Sequence, residues 1–361
     1  MPVIKADGDI RAAVVGYGLA ASELHCPLIA ATAGMVVSAV VTGNRQRAEA
    51  VNERYPDALV VPSVDELWSA VDDLDLVVIA SPNRSHVPVA LAAMHVGLPV
   101  VVDKPVAASV AGALRLREAA ERAGVLISVF HNRRWDGDAL TLARLLREGA
   151  VGRVHRFESR YERWLPEVDA EAWRESDDPE DAGGLLYDLG SHLIDQALTL
   201  FGPVSAVHAE VCLVRPGARV DDDVFVSLTH TSAVQSQLWA SAAAADAGPR
   251  FRLLGDAGAY VKYGMDVQEK GLREADAPGQ PGWGVEPESA WGQLGTPGAV
   301  RAVPTVPGAY PDYYAGIRDA LRQHVPPPVT ISEAIAVMAV IEAAQRSAVD
   351  DGTVSLDSNP S

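Results

Sequence analysis

Six short apolar runs recur between residues 10 and 130, and a helix-patterned stretch separates each from the next. They cover 10–15, 36–42, 58–61, 76–80, 100–102 and 125–130, are rich in Val and Ile, and carry few polar residues. A strand with water on one face alternates polar and apolar side chains, whereas a strand buried on both faces need not. Unbroken runs alternating with helical segments near 19–33, 44–54, 63–70, 84–96 and 109–123 therefore predict a doubly wound parallel sheet. Ser63 and Ser109 read as N-caps, and Glu66 completes a capping-box spacing with Ser63.

The first run leads into Gly16-Tyr17-Gly18-Leu19-Ala20-Ala21, a GxGxxA turn between strand and helix. Gly16 permits the tight turn, Gly18 admits a pyrophosphate close to the backbone, and Ala21 lets helix and strand pack closely. The helix N-terminus offers unpaired N–H groups to phosphate. This predicts a Rossmann dinucleotide-binding domain over 1–130. At the end of the second run, where a carboxylate would hold the ribose hydroxyls of NAD, the chain has Thr42-Gly43-Asn44-Arg45. With no carboxylate, Thr42 as a hydroxyl donor and Arg45 as a phosphate partner, NADP is expected, with NAD the alternative.

The pattern changes after about residue 135. A helix near 137–148 and a strand near 153–163 precede an amphipathic helix over 184–201 that stops at Gly202-Pro203. Strand-like runs follow at 204–214, 223–231, 234–243 and 250–262 with little helix between them. Such succession predicts an α+β domain over 131–361 with a large open, mainly antiparallel sheet. Residues 264–309, dense in Gly and Pro, read as a long ordered loop; helices near 311–323 and 331–348 follow, and 350–361 reads as loose.

With 361 residues the chain suits two domains better than one core. Its net charge of −18 argues against nucleic acid and anionic membranes, which need a basic face. Cys26 and Cys212 lack metal or redox spacing and read as free thiols of a reducing compartment. Residues 1–9 lack the apolar core of a signal peptide, and no apolar run reaches the roughly 18–20 residues of a membrane span. A soluble, cytoplasmic protein is expected.

Chemistry-bearing residues gather where strands end, the ligand-binding edge of such sheets. Ser81-Pro82-Asn83-Arg84-Ser85-His86 follows the fourth run, and Asp103-Lys104-Pro105 follows the fifth. Lys104 there could polarise a substrate oxygen or alter proton affinity at a reaction centre, although a turn lysine is as often simply solvated. Further along, Asp188 and His192 stand four apart and share a helix face. His192 suits proton transfer near neutral pH, with Asp188 orienting it or binding a hydroxyl. A buried structural pair is the plain alternative; two ligands fall short of a metal site, and none is expected.

The motifs together resemble the glucose–fructose oxidoreductase / inositol dehydrogenase / MocA (Gfo/Idh/MocA) family. They are GYGLAA at 16–21, SPNRSH at 81–86, DKP at 103–105 and the Asp-x-x-x-His of GGLLYDLGSHLID, and the likeness runs from about 10 to 349. HNRRWDGD at 131–138, YDLGSHLIDQALTLFG at 187–202 and PRFRLLGDAGAYVKYGMDVQE at 249–269 point to a branch with NADP-dependent scyllo-inositol dehydrogenase-like enzymes. The resemblance implies a second domain whose open sheet covers the nicotinamide and joins subunits into a homodimer or homotetramer. It implies hydride transfer between a sugar or cyclitol carbon and the cofactor. Lys104 then matches the lysine of the family's Glu-Lys-Pro motif, and Asp188 and His192 its acid and proton-relay histidine. Ser81, Pro82, Asn83 and His86 fall in its cofactor loop, and Trp173-Arg174 resembles a pair that helps hold the cofactor. Position 103 departs from the usual Glu: Asp103 keeps the carboxylate but is one methylene shorter, which weakens the case for a ribose contact.

A polyol substrate needs many hydrogen-bonding side chains, and Arg133, Arg134, Asp136, Arg160, Tyr161, Arg163 and Tyr263 are candidates by sequence order. Two other readings share the fold. One is a non-catalytic regulator sensing NADP or sugar, which need not retain Lys104, Asp188 and His192. The other is an NAD-dependent glycoside hydrolase that begins with the same hydride step.

Overall fold

The computed structural model describes residues 8–169, 171–274 and 278–356. They divide into two compact units. The first takes the chain up to Asn132 together with Gln268–Trp283 and Ala309–Ala334; the second takes Arg133–Val267, Gly284–Gly308 and the chain from Ile335. A single boundary after residue 130 is therefore not the whole division, because two later segments return to the first unit.

In the first unit, β1 (Ile10–Val15), β2 (Met35–Val41), β3 (Leu59–Val61), β4 (Leu76–Ile79), β5 (Val100–Val102) and β6 (Ile127–Val129) form one sheet. Its order is β3-β2-β1-β4-β5-β6, and every pair is parallel. Strand order reverses between β1 and β4, whose C-terminal residues Val15 and Ile79 are register partners. Such a reversal opens a crevice at the strand ends. Ser63 and Ser109 cap as expected, accepting from the backbone N–H of Glu66 and Gly112 at 3.3 and 3.2 Å. The helix expected over 19–33 is not uniform: Ala20–His25 winds as a wider π turn and Cys26–Ala31 as α-helix. Pro27 has no N–H for an i→i−4 bond and its ring crowds the preceding turn, which favours the wider winding.

The returning segments seal the far edge of this sheet. Tyr313 and Tyr314, on the helix Pro311–Gln323, are fully buried with ring centroids 4.9 and 6.0 Å from that of Phe130. Ser128 of β6 donates its hydroxyl to the Val329 carbonyl at 2.7 Å.

The second unit holds β7 (Val154–Glu162), β8 (Val204–Cys212), β9 (Asp223–His230), β10 (Gln235–Ser241), β11 (Phe251–Gly255), β12 (Ala259–Lys262), β13 (Gly292–Thr296), β14 (Ala299–Val303) and β15 (Val354–Ser355). They form a sheet in the order β14-β13-β12-β11-β7-β10-β9-β8-β15, in which only β7 and β10 pair in parallel. Val224, Val226, Leu228 and His230 alternate inward along β9, as a half-buried antiparallel strand requires.

Three expectations need correction here. The run 250–262 is a hairpin, broken at Gly255-Asp256-Ala257-Gly258. The stretch 264–309 is not all loop, since it contains the helix Gln268–Arg273 and the β13–β14 hairpin, whose glycines and polar residues hide the strand pattern. Val354–Ser355 pairs with β8 and is not loose, while 357–361 lie outside the described residues.

Candidate active site

In the first unit the glycine turn sits against the end of β4. Gly16 has φ +91°, and a Cβ there would stand 2.8 Å from the Ala80 carbonyl oxygen. Its N–H donates to the Val41 carbonyl at 3.0 Å, which ties the turn to β2. Gly18 differs, because a Cβ there would meet nothing within 4 Å. The protein's own packing thus does not require Gly18, and the room beside it is what a pyrophosphate close to the backbone would fill. Ala21 is fully buried, Tyr17 is buried and Leu19 is exposed. Ala20 opens the π turn that follows. These residues fit a dinucleotide.

At the end of β2, the Thr42 hydroxyl accepts from the Asn44 N–H at 3.3 Å and keeps its own hydrogen to donate. Asn44 caps the helix Arg45–Arg54 by accepting from the Arg47 N–H at 3.0 Å. The Arg45 side chain is 92% exposed and donates through Nε to Glu49 at 3.0 Å. An exposed i,i+4 pair is worth only about 0.3–0.5 kcal/mol, so a phosphate can redirect this guanidinium at little cost.

The two loops after β4 and β5 are tied together. Buried His86 lies between backbone carbonyls, with Nδ1 2.8 Å from the Pro105 oxygen and Nε2 2.9 Å from the Ser81 oxygen. Burial pushes its pKa down. A neutral imidazole carries one N–H, so His86 braces the loops by packing between the two carbonyls and donating to one of them. The Ser81 and Ser85 hydroxyls are hydrogen-bonded, Ser85 also donates to the Pro82 carbonyl at 2.6 Å, and Asn83 is buried. Asp103 Oδ1 accepts the Lys104 backbone N–H at 2.8 Å, which fixes the turn that presents Lys104 at the end of fully buried β5. The Lys104–Pro105 bond is cis.

In the second unit, the helix expected over 184–201 also begins with a π turn, Leu186–Gly190, before the α-helix Ser191–Phe201. Asp188 stands in the wide turn and His192 in the α segment. Such local widening recurs at functional sites. Asp188 Oδ1 is 3.5 Å from Arg174 Nε, and the Arg174 guanidinium lies 4.4 Å from the Trp173 ring centroid. Trp173, Arg174 and Asp188 are therefore one cluster. His192 is buried, with the Tyr161 ring edge-on at 6.5 Å.

The expected substrate contacts fare differently. Tyr161 is a core residue, 1% exposed, and its hydroxyl accepts from Arg250 Nη2 at 2.7 Å. Arg134 makes a bidentate pair with buried Asp195 at 2.9 and 2.7 Å, a structural commitment that its sequence position does not reveal. Tyr263 is 62% exposed, with its carbonyl accepting from buried Lys262.

One residue not singled out from the sequence, Asp221, joins the second-unit cluster together with Arg163, a candidate by its sequence order. Arg163 and Asp221 line a cavity of about 160 Å³ with Arg174, Asp188, Leu189 and Ser241. Asp221 Oδ2 accepts the Leu186 N–H at 2.7 Å at the start of the helix bearing Asp188. A Cβ on Gly184, at φ +91°, would overlap this carboxylate. Burial pushes the Asp221 pKa up to about 6. Because the folded value exceeds the unfolded one, the folded chain takes up a proton here, and stability falls as pH rises from about 4 through 6. Asp221→Asn, which keeps an acceptor for Leu186, should stabilise the chain by about 1–3 kcal/mol near pH 8 and by little near pH 3.5. Urea unfolding at both pH values checks this, and an equal gain at each would contradict it.

Comparison with known proteins bears on both groups. A family model described as "Oxidoreductase family, NAD-binding Rossmann fold" matches residues 10–131, and one described as "Oxidoreductase family, C-terminal alpha/beta domain" matches 143–356. The chain is 39% identical over 352 residues to the uncharacterized oxidoreductase YdgJ of Escherichia coli, covering 96% of this chain and 99% of that protein. It is 36% identical over 352 residues to scyllo-inositol 2-dehydrogenase (NADP(+)) IolW of Bacillus subtilis, covering 96% of each. Among solved structures, yvaA from Bacillus subtilis superposes with a TM-score of 0.91 at 35% identity, covering 97% of this chain and 99% of that one.

Proposed function

The chain belongs to the Gfo/Idh/MocA oxidoreductase family, and from that premise we propose that it moves a hydride between a secondary alcohol or ketone of a sugar or cyclitol and NADP. The observation that carries the reading is Lys104, held by Asp103 at the end of β5, in the unit that bears the glycine turn. The likeness to an NADP-dependent scyllo-inositol dehydrogenase supports the substrate class and the cofactor.

The turn Gly16–Ala21 and the loop Ser81–Asn83 would hold the dinucleotide, with Thr42 and Arg45 at the 2′-phosphate and Trp173 and Arg174 as further contacts. When bound, the nicotinamide supplies the hydride acceptor or donor. Lys104 holds the reacting oxygen and offsets its developing negative charge. His192 takes the hydroxyl proton, or returns it in reduction. Asp188 binds a neighbouring hydroxyl and fixes the substrate's orientation, with Arg174 beside it. We assign the protein to the cytoplasm, in keeping with its free Cys26 and Cys212, and to a homodimer or homotetramer built on the nine-stranded sheet.

A spectrophotometric panel at the nicotinamide absorbance tests the reading. Inositols, aldoses, keto-sugars, small aldehydes and glycosides are offered with NADP and with NAD. Turnover of a cyclitol or sugar with preference for NADP is expected, and Arg45→Ala should narrow that preference. Tight cofactor binding with no redox change on any alcohol or carbonyl would overturn it.

A further inference from the structure

We infer that His25 and Tyr314 form a buried tie that holds the Asp103 carboxylate, and through it the Lys104 turn, to the helix that follows the glycine turn. The tie rests on the role proposed for Lys104 in giving that turn a function; its geometry lies wholly within the first unit.

His25 follows Ala21 by one turn, on the π-wound segment Ala20–His25. It is 0% exposed, and a buried imidazole is costly unless its nitrogens find partners. Nδ1 lies 2.6 Å from the Tyr314 hydroxyl. Nε2 has no hydrogen-bond partner and faces Asp103 Oδ2 at 3.9 Å. The ring is fixed by Phe130, with centroids 4.1 Å apart, and by the edge of Tyr314 at 6.1 Å.

The hydrogen assignments follow from this arrangement. Burial holds the Tyr314 phenol well above its ordinary pKa, with Tyr313, Cys26 and Asp103 as its titratable neighbours. The phenol keeps its proton and so can donate to Nδ1, and the Asp103 carboxylate facing Nε2 favours the tautomer that carries its N–H on that side. Asp103 Oδ1 accepts the Lys104 backbone N–H, so one carboxylate joins His25 to Lys104. The titratable groups near Asp103 are His25, Lys104, His86 and the Tyr314 phenol, of which the first three lower its pKa. Burial alone would raise its pKa, but these three outweigh burial and hold it below the ordinary carboxylate value. At 3.9 Å the His25–Asp103 contact is electrostatic, and a closure of about 1 Å would make it a hydrogen bond. The tie thus couples the placement of the phosphate-binding helix to that of the reacting lysine.

The test uses the full chain with 13C-labelled aspartate, the Asp103 carboxyl resonance being assigned by its loss in Asp103→Asn. In the unaltered protein Asp103 should titrate below the ordinary value of about 3.9. His25→Phe should raise the midpoint by roughly one pH unit or more, and Tyr314→Phe by less, because the ring can then move its proton to Nδ1. His25→Gln, whose amide can still point an N–H at Asp103, should retain most of the depression. The acid limb of the turnover–pH profile should rise in the same order. Should His25→Phe fail to fold, Tyr314→Phe and His25→Gln decide. An unmoved Asp103 midpoint in folded Tyr314→Phe and His25→Phe would overturn the tie. The titration needs no substrate, so failure of the redox reading leaves it standing, and failure of the tie leaves the role of Lys104 open to its own test.

Discussion

Lys104→Met is expected to lower turnover by about 10²–10⁴-fold while the cofactor still binds. Methionine keeps the length and apolar stem of the side chain and removes only the ammonium. The backbone N–H of residue 104 still reaches Asp103 Oδ1, and the His86 brace does not involve the lost charge. The turn should survive, so the loss reports charge at the reacting oxygen. His192→Ala should cost a similar factor, because a proton must leave or reach that oxygen in the same reaction. If the two groups serve one transition state, the double variant will lose less than the product of the single losses. Steady-state turnover beside cofactor titration by fluorescence checks this, and near-normal turnover in either single variant would remove that residue's assigned role.

Gly16→Val should abolish measurable cofactor binding, raising Kd by roughly 100-fold or more, which is about 3 kcal/mol. Two costs coincide at this position. A φ of +91° is poorly accessible to a β-branched residue, and the new Cβ would press on the Ala80 carbonyl at 2.8 Å. That carbonyl cannot easily retreat, because the Ala80 N–H is bound to Val15 of β1 at 2.9 Å. Gly18→Ala gives the contrasting case. Its Cβ meets nothing in the chain, so the melting temperature should hold while affinity for the dinucleotide falls. Calorimetric titration with NADP and thermal melts of both variants read the two effects separately. Undiminished affinity in Gly18→Ala would show that the open space beside it is not where the pyrophosphate lies.

The parallel sheet is legible in the sequence for a physical reason. A strand covered on both faces buries successive side chains, so Leu76–Ile79 and Val100–Val102 stand out as wholly apolar runs. Lys104 is legible for the complementary reason, as the first cation after such a run. What escapes the sequence is mostly contact between distant residues. Nothing local says that Arg134 is held by Asp195, or that the Tyr161 hydroxyl meets Arg250. A tyrosine on an alternating strand signals one face or the other, and here the face is the core. The β13–β14 hairpin is obscured by the glycines that make its tight pairing possible. The π turns at Ala20–His25 and Leu186–Gly190 shift side chains without changing the apolar pattern, so periodicity alone reads both as ordinary helix.

The return of Ala309–Ala334 to the first unit constrains how the protein is made. During synthesis the six parallel strands leave the ribosome first, yet Phe130 and Ser128 must wait for Tyr313, Tyr314 and Val329 to emerge before their side of the sheet is covered. Nearly the whole polypeptide is therefore translated before the nucleotide-binding half can close. A fragment cut near residue 131 would keep the glycine turn but bare Phe130, His25 and Ser128, and it would not be a self-sufficient module.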